Sequence, residues 1–501
     1  MLVDVRATSK LRGDGALDVT TALQPVIAAA CDDSIDLSRL RIVCDWIQYR
    51  SNFRDVVDVR ELVAPVPPGG DPDSAADDAD RLLEIAVDLR RSGDGSLVAA
   101  KTADALAALR RRPCDAASGD VLLEPWKPMR KSCIWEFNRL YWQALQLWER
   151  STGRMYESAL PGGASDARNI AGVRELIGEL FDAWDRLVER DSLPAELYVV
   201  ELGVGNGSQA KVWLDEFVAI NTERGRDYDR RLHYLMCDYS PHVLELARKT
   251  VVDHDERVSS FVLDATRPTT ALSFLRFKVF LVYVSNVYDN LPTDEVARLN
   301  GMTYLVETRA RLPAADAAGI AGHLGVRQDQ LADLVDKLLR LGPTLLAEAV
   351  PSAFPAEDDA VEFWQRTWTA LRLSERYVPV PGLDLFEIAP GASGELLRPL
   401  LESGGDLRMQ VSNGAVASFV DTLPLLHPYG RLQCHDLFAT SVDRYRTAFS
   451  GPGKYDGSVV NWVNGPLLAH IGRRKGFDVR FAPFAHRAGS NVQTMTAQVR
   501  D

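Results

Sequence analysis

The sequence has little of what marks several large classes of protein. Its six cysteines are scattered over 501 residues, with no CxxC pair and no cysteine–histidine cluster at metal-ligand spacing. Neither a disulfide framework nor a metal site is therefore expected. No uninterrupted apolar run approaches the roughly 18 residues that span a bilayer, and residues 1–15 contain no long apolar segment. We expect a soluble, cytoplasmic protein with reduced thiols and no membrane contact.

Positive charge is also sparse. The chain has 57 Lys and Arg against 70 Asp and Glu, which gives a formal net charge of −13, and no long basic block is present. Binding to a phosphate backbone depends on clustered positive charge, so we expect no nucleic acid partner. Apolar residues at 46% and charged residues at 25% are typical of a globular protein, and this length predicts two or three structural units.

Two polar joints interrupt the first quarter of the chain, a Pro/Gly-rich one at 64–74 and a second at 113–120. Residues 80–90 and 96–112 carry apolar side chains at helical spacing, which predicts two helices. Residues 40–46 fit a strand or a buried helical turn equally well. None of these segments contains a functional motif.

The pattern changes further along the chain. Residues 133–150 form an aromatic-rich helical stripe, which we interpret as packing. Between 197 and 312, short apolar runs (LYVVEL, LHYLMCD, SSFVLD and FKVFLVYVSN) are separated by helical stretches, as in parallel β/α units. Helical patterns dominate 313–377, and strands are expected at 383–386, 430–434 and 477–481. We divide the chain into an N-terminal accessory region (1–125), a helical lead-in with an α/β core (126–312), a helical insertion or lid (313–380) and a C-terminal part that completes the core (381–501).

The segment YVVELGVGNGS at 198–208 places three glycines after an apolar run that ends in an acid. A dinucleotide-binding turn, G-x-G-x-x-G, needs its third glycine where Ser208 stands, so the spacing disfavours NAD. Asp238 and Asp264 end the next two apolar runs. Because the carboxyl ends of parallel strands meet at one edge of a sheet, Glu201, Asp238 and Asp264 are expected to line one crevice.

The pattern E-x-G-x-G-x-G at 201–207 resembles the first motif of class I S-adenosylmethionine-dependent methyltransferases. The resemblance implies a Rossmann-like α/β sheet with helices on both faces and S-adenosylmethionine as the cofactor. It further implies that side-chain-free turns admit the methionine end of the ligand, that one acid holds the ribose, and that another contacts the adenine. The implied cofactor-binding residues are Glu201, Gly203, Gly205, Gly207, Asp238, Asp264, Ala265 and Ser285.

A narrower resemblance concerns the fourth apolar run. The sequence SNVYDNLP at 285–292 is similar to the N-E-x-x-D-A-L-P pattern of the MidA-type protein arginine methyltransferases, with matches at Asp289, Leu291 and Pro292. Ser285 and Asn286 replace the Asn-Glu pair of that family. Since recognition of a guanidinium needs carboxylates, this departure counts against arginine as the methyl acceptor. The resemblance covers roughly residues 130–500.

These patterns imply transfer of a methyl group to an O or N nucleophile of a small molecule or of a peptide or protein side chain. The residues expected to position the acceptor or move its proton are Asn286, Tyr288, Asp289 and His435, the last beside Asp436. Asp289 could instead cap a helix expected at 293–299. A homodimer is one candidate assembly. The alternatives are an inactive binding or assembly protein that keeps the cofactor fold, and an NAD-dependent oxidoreductase.

Overall fold

In the computed structural model, the described residues are 2–6, 19–32, 37–47, 49, 51–63, 82–91, 93, 95–110, 119–156, 169–447, 451–486 and 490–500. They form two large β-sheets flanked by helices. Within these residues, no helix combines the length and the apolar character needed to cross a membrane.

The helices are α1 (Val19–Asp32), α2 (Gly95–Arg110), α3 (Ile134–Gln143), α4 (Leu145–Thr152), α5 (Ile170–Glu189), α6 (Ser208–Glu223), α7 (Pro241–Thr250), α8 (Thr269–Leu272), α9 (Ala314–Leu324), α10 (Leu331–Ala349), α11 (Glu357–Ala370), α12 (Arg398–Leu401), α13 (Asn413–Thr422), α14 (Arg444–Thr447) and α15 (Gly465–Arg474). The strands are β1 (Leu2–Arg6), β2 (Leu40–Asp45), β3 (Val57–Leu62), β4 (Leu82–Asp88), β5 (Val121–Leu122), β6 (Lys127–Pro128), β7 (Leu197–Leu202), β8 (Leu232–Asp238), β9 (Val258–Val262), β10 (Val279–Ser285), β11 (Glu295–Leu299), β12 (Met302–Leu312), β13 (Arg372–Pro379), β14 (Glu387–Ala389), β15 (Ala392–Ser393), β16 (Leu407–Gln410), β17 (Leu426–Asp436), β18 (Phe438–Ala439), β19 (Gly453–Tyr455), β20 (Ser458–Val460), β21 (Val463–Asn464), β22 (Phe477–Pro483) and β23 (Gln493–Val499).

A seven-stranded sheet forms the α/β core, with the strand order β22-β23-β17-β10-β7-β8-β9. Its strands are parallel except for β23, which runs antiparallel to both of its neighbours. The chain first builds from β7 outward to β9 and then places β10 on the opposite side of β7. This reversal creates a crevice at the carboxyl ends of β7 and β10, where open α/β sheets bind ligands.

Both faces of this sheet are covered by helices. Val199 and Leu281 pack in a cluster with α5, α6 and α7, whereas their neighbours Val200 and Val282 pack with α13 and α15 on the other face. Successive strand residues point to opposite faces, which explains why the sequence runs are apolar throughout rather than alternating. The predicted Rossmann-like sheet with helices on both faces is confirmed.

A second, ten-stranded sheet joins the N-terminal region to later parts of the chain. Its main order is β1-β2-β4-β3-β13-β12-β11-β16, with β5 and β6 pairing along β12. The link is the parallel pairing of β3 with β13. The segment expected to be a helical insertion, 313–380, contains α9, α10 and α11 and then β13, through which it enters this sheet.

A network of buried ion pairs connects the N-terminal strands with the later strands of the ten-stranded sheet. Arg60 of β3 lies 2.7 Å from Glu84 of β4 and 2.7 Å from Glu375 of β13. Arg408 of β16 pairs with Glu375 at 2.9 Å and also contacts Glu295 of β11. Burial alone would raise the pKa of Glu375, but the two guanidinium groups lower it to about 2. Glu375 therefore stays ionised, and its ion pairs with Arg60 and Arg408 link the N-terminal strands to the rest of the sheet.

Several local predictions were wrong. Residues 82–88, expected within a helix, form β4, and residues 295–299, also expected within a helix, form β11. Both are short apolar runs, for which periodicity does not separate helix from strand, and both pair on each side with neighbouring strands. No strand covers 383–386; the nearest, β14, begins at Glu387. The ambiguous run at 40–46 contains strand β2. The joints at 64–74 and 113–118 lie outside the described residues.

Candidate active site

The turn after β7 needs its three glycines for three different reasons. All three have positive φ, at 78° for Gly203, 57° for Gly205 and 80° for Gly207. A Cβ on Gly203 would lie 2.4 Å from a methyl of Val287, and a Cβ on Gly207 would lie 2.7 Å from the backbone of Ala247. At Gly205 the nearest described atom is the Tyr156 hydroxyl at 3.3 Å. Gly207 thus lets α6 pack on α7, whereas Gly203 and Gly205 line the crevice itself.

The acidic residue at the end of β7 is buried, and its carboxyl group is mostly uncharged. Glu201 is 3% exposed, and its carboxyl accepts a hydrogen bond from the Tyr234 hydroxyl at 2.6 Å. Burial raises the pKa of Glu201 to about 8, with a further increase from Asp238 and an opposing effect of the Tyr234 hydrogen bond. Glu201 is therefore mostly protonated at neutral pH unless a cation approaches it.

Asp238, at the end of β8, closes the glycine turn from the side. Its Oδ2 accepts a hydrogen bond from the Gly205 N–H at 3.2 Å, and its Oδ1 accepts one from the Ser240 N–H at 3.0 Å. A carboxylate offers about four acceptor positions, so about two remain for a ligand. Burial raises the pKa of Asp238.

Asp264 lies just beyond β9 and is exposed. Its Oδ1 accepts hydrogen bonds from the N–H and the hydroxyl of Thr266, both at 2.8 Å. This local turn directs the carboxyl beside Ala265 and leaves Oδ2 free for a donor. Asp264 and Ala265 both line the same cavity as the glycine turn.

The loop after β10 forms the opposite wall. Asn286 has a positive φ of 53°, and its N–H donates to the carbonyl of His435 at 3.0 Å. Asp436, at the end of β17, accepts hydrogen bonds at its Oδ2 from the N–H groups of Val287 and Tyr288 at 3.1 and 2.8 Å, and a longer one from Asp289 N–H at 3.4 Å. A single buried carboxylate thus shapes the loop that faces the glycine turn.

Asp289 is the buried acid of this loop and reaches the cavity. Burial and the adjacent Asp436 carboxylate raise the pKa of Asp289 well above its ordinary value, and the pKa of Asp436 is also raised, chiefly by burial, to about 6. Like charges this close disfavour double ionisation. The pair therefore holds a proton near neutral pH and can exchange it with a bound molecule.

These elements surround one cavity of about 790 Å³, within the size range of ligand sites, about 300–1,000 Å³. The cavity contains nine of the predicted site residues, namely Glu201, Gly203, Gly205, Asp238, Asp264, Ala265, Ser285, Asn286 and Asp289. No cluster of His, Cys, Asp or Glu suited to a metal occurs in the described part of the chain.

Three predicted site residues lie outside the cavity lining. Gly207 supports helix packing, as described above. Tyr288 is 1% exposed and belongs to the hydrophobic core below the sheet edge. His435 is buried on β17, where its Nδ1 lies 2.9 Å from the Thr494 hydroxyl, and burial together with His486 lowers its pKa to about 4. A neutral imidazole enclosed in this way is a structural group.

Sequence reasoning missed the aromatic part of the lining. Trp135 and Trp142 of α3, Tyr156, Trp462 and Tyr49 all border the cavity. The stripe at 133–150 was interpreted as packing, yet some of its rings face the crevice. Its excess of aromatic residues over what one packing face needs is a signal that could have identified them. Tyr49 belongs to no recognisable pattern.

Comparisons with known proteins give a likeness of fold. No model of a known protein family and no curated protein matches the chain. Similar solved structures include a suspected methyltransferase from Burkholderia thailandensis bound to S-adenosylhomocysteine, at 14% identity over 78% of this chain and 91% of that one, with a TM-score of 0.42. The CcbJ methyltransferase from Streptomyces caelestis is similar at 9% identity over 64% and 90%, with a TM-score of 0.26. At such values these structures do not establish a function, and the geometry of the cavity supplies the evidence for one.

Proposed function

We propose that the protein is an S-adenosylmethionine-dependent methyltransferase that methylates an O or N nucleophile of a small molecule or of a peptide or protein side chain. One observation supports the proposal above all. A turn that contains three glycines with positive φ lies next to the acids at the ends of three successive parallel strands. These residues meet at one cavity, at the point where the strand order reverses. This is where a doubly wound sheet binds its ligand.

The residues present fit the cofactor. Gly203 and Gly205 leave room for the backbone to approach the amino-acid end of the ligand, and Glu201 offers a carboxyl that becomes anionic beside a cation. Asp238 retains two acceptor positions for the two ribose hydroxyls. Asp264 Oδ2 makes no hydrogen bond with any described residue and is free to accept from the adenine amino group.

When bound, S-adenosylmethionine would supply an activated methyl group to the lone pair of the acceptor, with S-adenosylhomocysteine as the product that leaves. Asp289 receives the proton that the acceptor loses, because it is the member of the pair that lines the cavity, and its own proton passes to the adjacent Asp436 carboxylate, so that the pair gains one proton. Asp436 holds the loop that carries Asp289 through its backbone hydrogen bonds.

The match at Asp289, Leu291 and Pro292 supports a relation to the MidA-type enzymes as part of the proposal. Asn286 stands where that family has Glu, so a carboxylate for a guanidinium is absent at that position. We therefore propose that the methyl acceptor is not an arginine side chain of a protein.

Calorimetric titration with S-adenosylhomocysteine tests the cofactor half of the proposal. The wild-type protein and Asp289→Asn should both bind, because Asp289 belongs to the acceptor side, whereas Gly205→Arg should not. Transfer of tritium from methyl-labelled cofactor to a panel of phenols, amines and amides tests the other half, and Asp289→Asn should lose it. Absence of binding heat at high micromolar ligand would contradict the proposal; binding without transfer to any acceptor would favour the inactive binding protein.

A further inference from the structure

Within the described residues of the N-terminal region, one side chain borders the candidate active site. Tyr49 lies in the connection between β2 and β3 and borders the cavity together with Asp289, 240 positions later in the chain. The remaining lining comes from the α/β core, from α3, α4 and the residues after α4, from the β19–β20 hairpin with Trp462, and from the segment 490–492 before β23. A region that carries no motif therefore contributes directly to the site.

Tyr49 is held firmly in this position. A Cβ on Gly453 would lie 2.3 Å from the Tyr49 ring, so the ring packs directly against a residue that has no side chain. Asn52 donates a hydrogen bond from its Nδ2 to the Tyr49 carbonyl at 3.3 Å, and the Lys454 N–H donates to the Ser51 carbonyl at 3.0 Å. The segment around Tyr49 is thereby clamped to the β19–β20 hairpin.

The Tyr49 hydroxyl is buried and finds no hydrogen-bond partner among the described residues. Burial, with the negative charges of Asp289 and Asp436, raises its pKa well above the ordinary value, although Arg444 opposes this. The hydroxyl stays protonated and can donate. A buried donor without a partner is unfavourable, so a molecule in the cavity that offers an acceptor atom gains a hydrogen bond.

The surroundings restrict the chemistry of that molecule. Trp135, Trp142 and Trp462 border the cavity and make part of its wall aromatic, which favours a flat, largely apolar molecule. The charged lining is mainly acidic, and Arg139 is the only cation that lines the cavity in the described part of the chain. An anionic molecule would find a single cation to pair with there, Arg139, among a larger number of acidic side chains.

We infer that Tyr49 is the residue that positions the methyl acceptor, by donating a hydrogen bond to an uncharged, flat molecule that carries an oxygen or nitrogen acceptor atom. The inference rests on the proposed function and specifies its substrate class. It makes the N-terminal region part of the acceptor site rather than a separate accessory unit.

The test uses the full-length protein saturated with S-adenosylhomocysteine and two probes of the same shape, neutral benzamide and anionic benzoate. Calorimetry or ligand-detected NMR measures their dissociation constants for the wild type, for Tyr49→Phe and for the control Tyr429→Phe, which alters an exposed tyrosine. We expect benzamide to bind about fivefold more weakly to Tyr49→Phe, as for one lost hydrogen bond, and equally to the control. Benzoate should bind the wild type at least tenfold more weakly than benzamide.

Gly453→Ala provides a second variant, since its methyl must displace the Tyr49 ring; it should also weaken benzamide while S-adenosylhomocysteine still binds. Equal benzamide affinity in wild type and Tyr49→Phe, or no benzamide binding at all, would overturn the role of Tyr49 while leaving the cofactor site standing. Benzoate binding as tightly as benzamide would overturn the restriction to uncharged acceptors. Failure of S-adenosylhomocysteine to bind the wild type would overturn the proposed function, and this inference with it.

Discussion

Cofactor affinity is expected to depend on pH through Glu201. Burial raises the pKa of this carboxyl to about 8 in the ligand-free protein, whereas a ligand that carries an ammonium or sulfonium beside it favours the ionised form. Binding therefore removes a proton from Glu201. The affinity for S-adenosylhomocysteine, whose ammonium is the relevant cation, should rise with pH and level off above about pH 8.

The magnitude follows from the ionised fraction. With a pKa of about 8, Glu201 is roughly 1% ionised at pH 6 and about half ionised at pH 8. If only the ionised form binds and its pKa in the complex lies below 6, affinity increases by about 50-fold over this range, or about 2.3 kcal/mol. At pH 7 close to one proton should be released for each ligand bound.

Calorimetry at pH 6, 7 and 8, in pairs of buffers with different ionisation enthalpies, measures both quantities. Glu201→Gln should bind with the same affinity at each pH and release no proton, while Glu245→Gln, at an exposed position on α7, should behave like the wild type. A wild-type affinity that is constant from pH 6 to 8, or that falls as pH rises, would refute the assignment of Glu201 to the cationic part of the ligand.

Three further predictions concern stability. Gly207→Ala should lower the free energy of unfolding by about 3 kcal/mol in urea titrations, because the residue has positive φ and its Cβ would meet the Ala247 backbone. Arg60→Met should cost about 3–5 kcal/mol in the same assay, since it leaves Glu375 with a single guanidinium partner in a buried site. Asp289→Asn should stabilise the protein at pH 8 more than at pH 5 in thermal unfolding. The raised pKa of Asp289 means that the native state favours the protonated form, and this contribution is lost as pH rises through that pKa.

Two control variants distinguish the causes of the first two stability losses. Gly225 has a φ of 60°, but no atom lies within 4 Å of the position that a Cβ would occupy, so Gly225→Ala isolates the backbone strain and should cost less than Gly207→Ala. Arg340→Met removes an exposed ion pair with Asp336 and should change stability by less than about 1 kcal/mol. Equal losses within either pair, or a stability gain of Asp289→Asn that does not vary with pH, would contradict the reasoning.

The convergence of the residues proposed to bind the cofactor was predictable because each of them is local in sequence. Each of Gly203, Asp238 and Asp264 follows an apolar run directly, and the topology of a parallel sheet brings the ends of such runs together. The sequence did not distinguish Gly207, which serves helix packing, from Gly203 and Gly205, which face the cavity. That distinction depends on where α7 lies, and no motif encodes it.

The acceptor half was far less predictable, because it is assembled from distant segments. Asp289 was recognised from its motif, but the role of Asp436 in shaping its loop depends on the pairing of β17 beside β10. Tyr49 belongs to this half of the site only because its segment contacts the β19–β20 hairpin. His435 is the opposite case. Its position next to an acid suggested proton transfer, but in the structure it is buried on β17 and lies outside the cavity lining.

The ten-stranded sheet combines strands from the beginning of the chain with strands from later parts, and this affects folding during synthesis. Arg60 and its hydrogen-bond partner Tyr377 are 317 residues apart, so β3 emerges from the ribosome long before β13 exists to pair with it. Until then β3 pairs with β4 alone, its other edge is open, and Arg60 lacks the Glu375 partner that it has in the folded protein. Such non-local pairing is slow to form, and the newly made N-terminal segment needs protection from premature association. The ten-stranded sheet, which links the N-terminal strands to the rest of the chain, can therefore be completed only after β16 has been made.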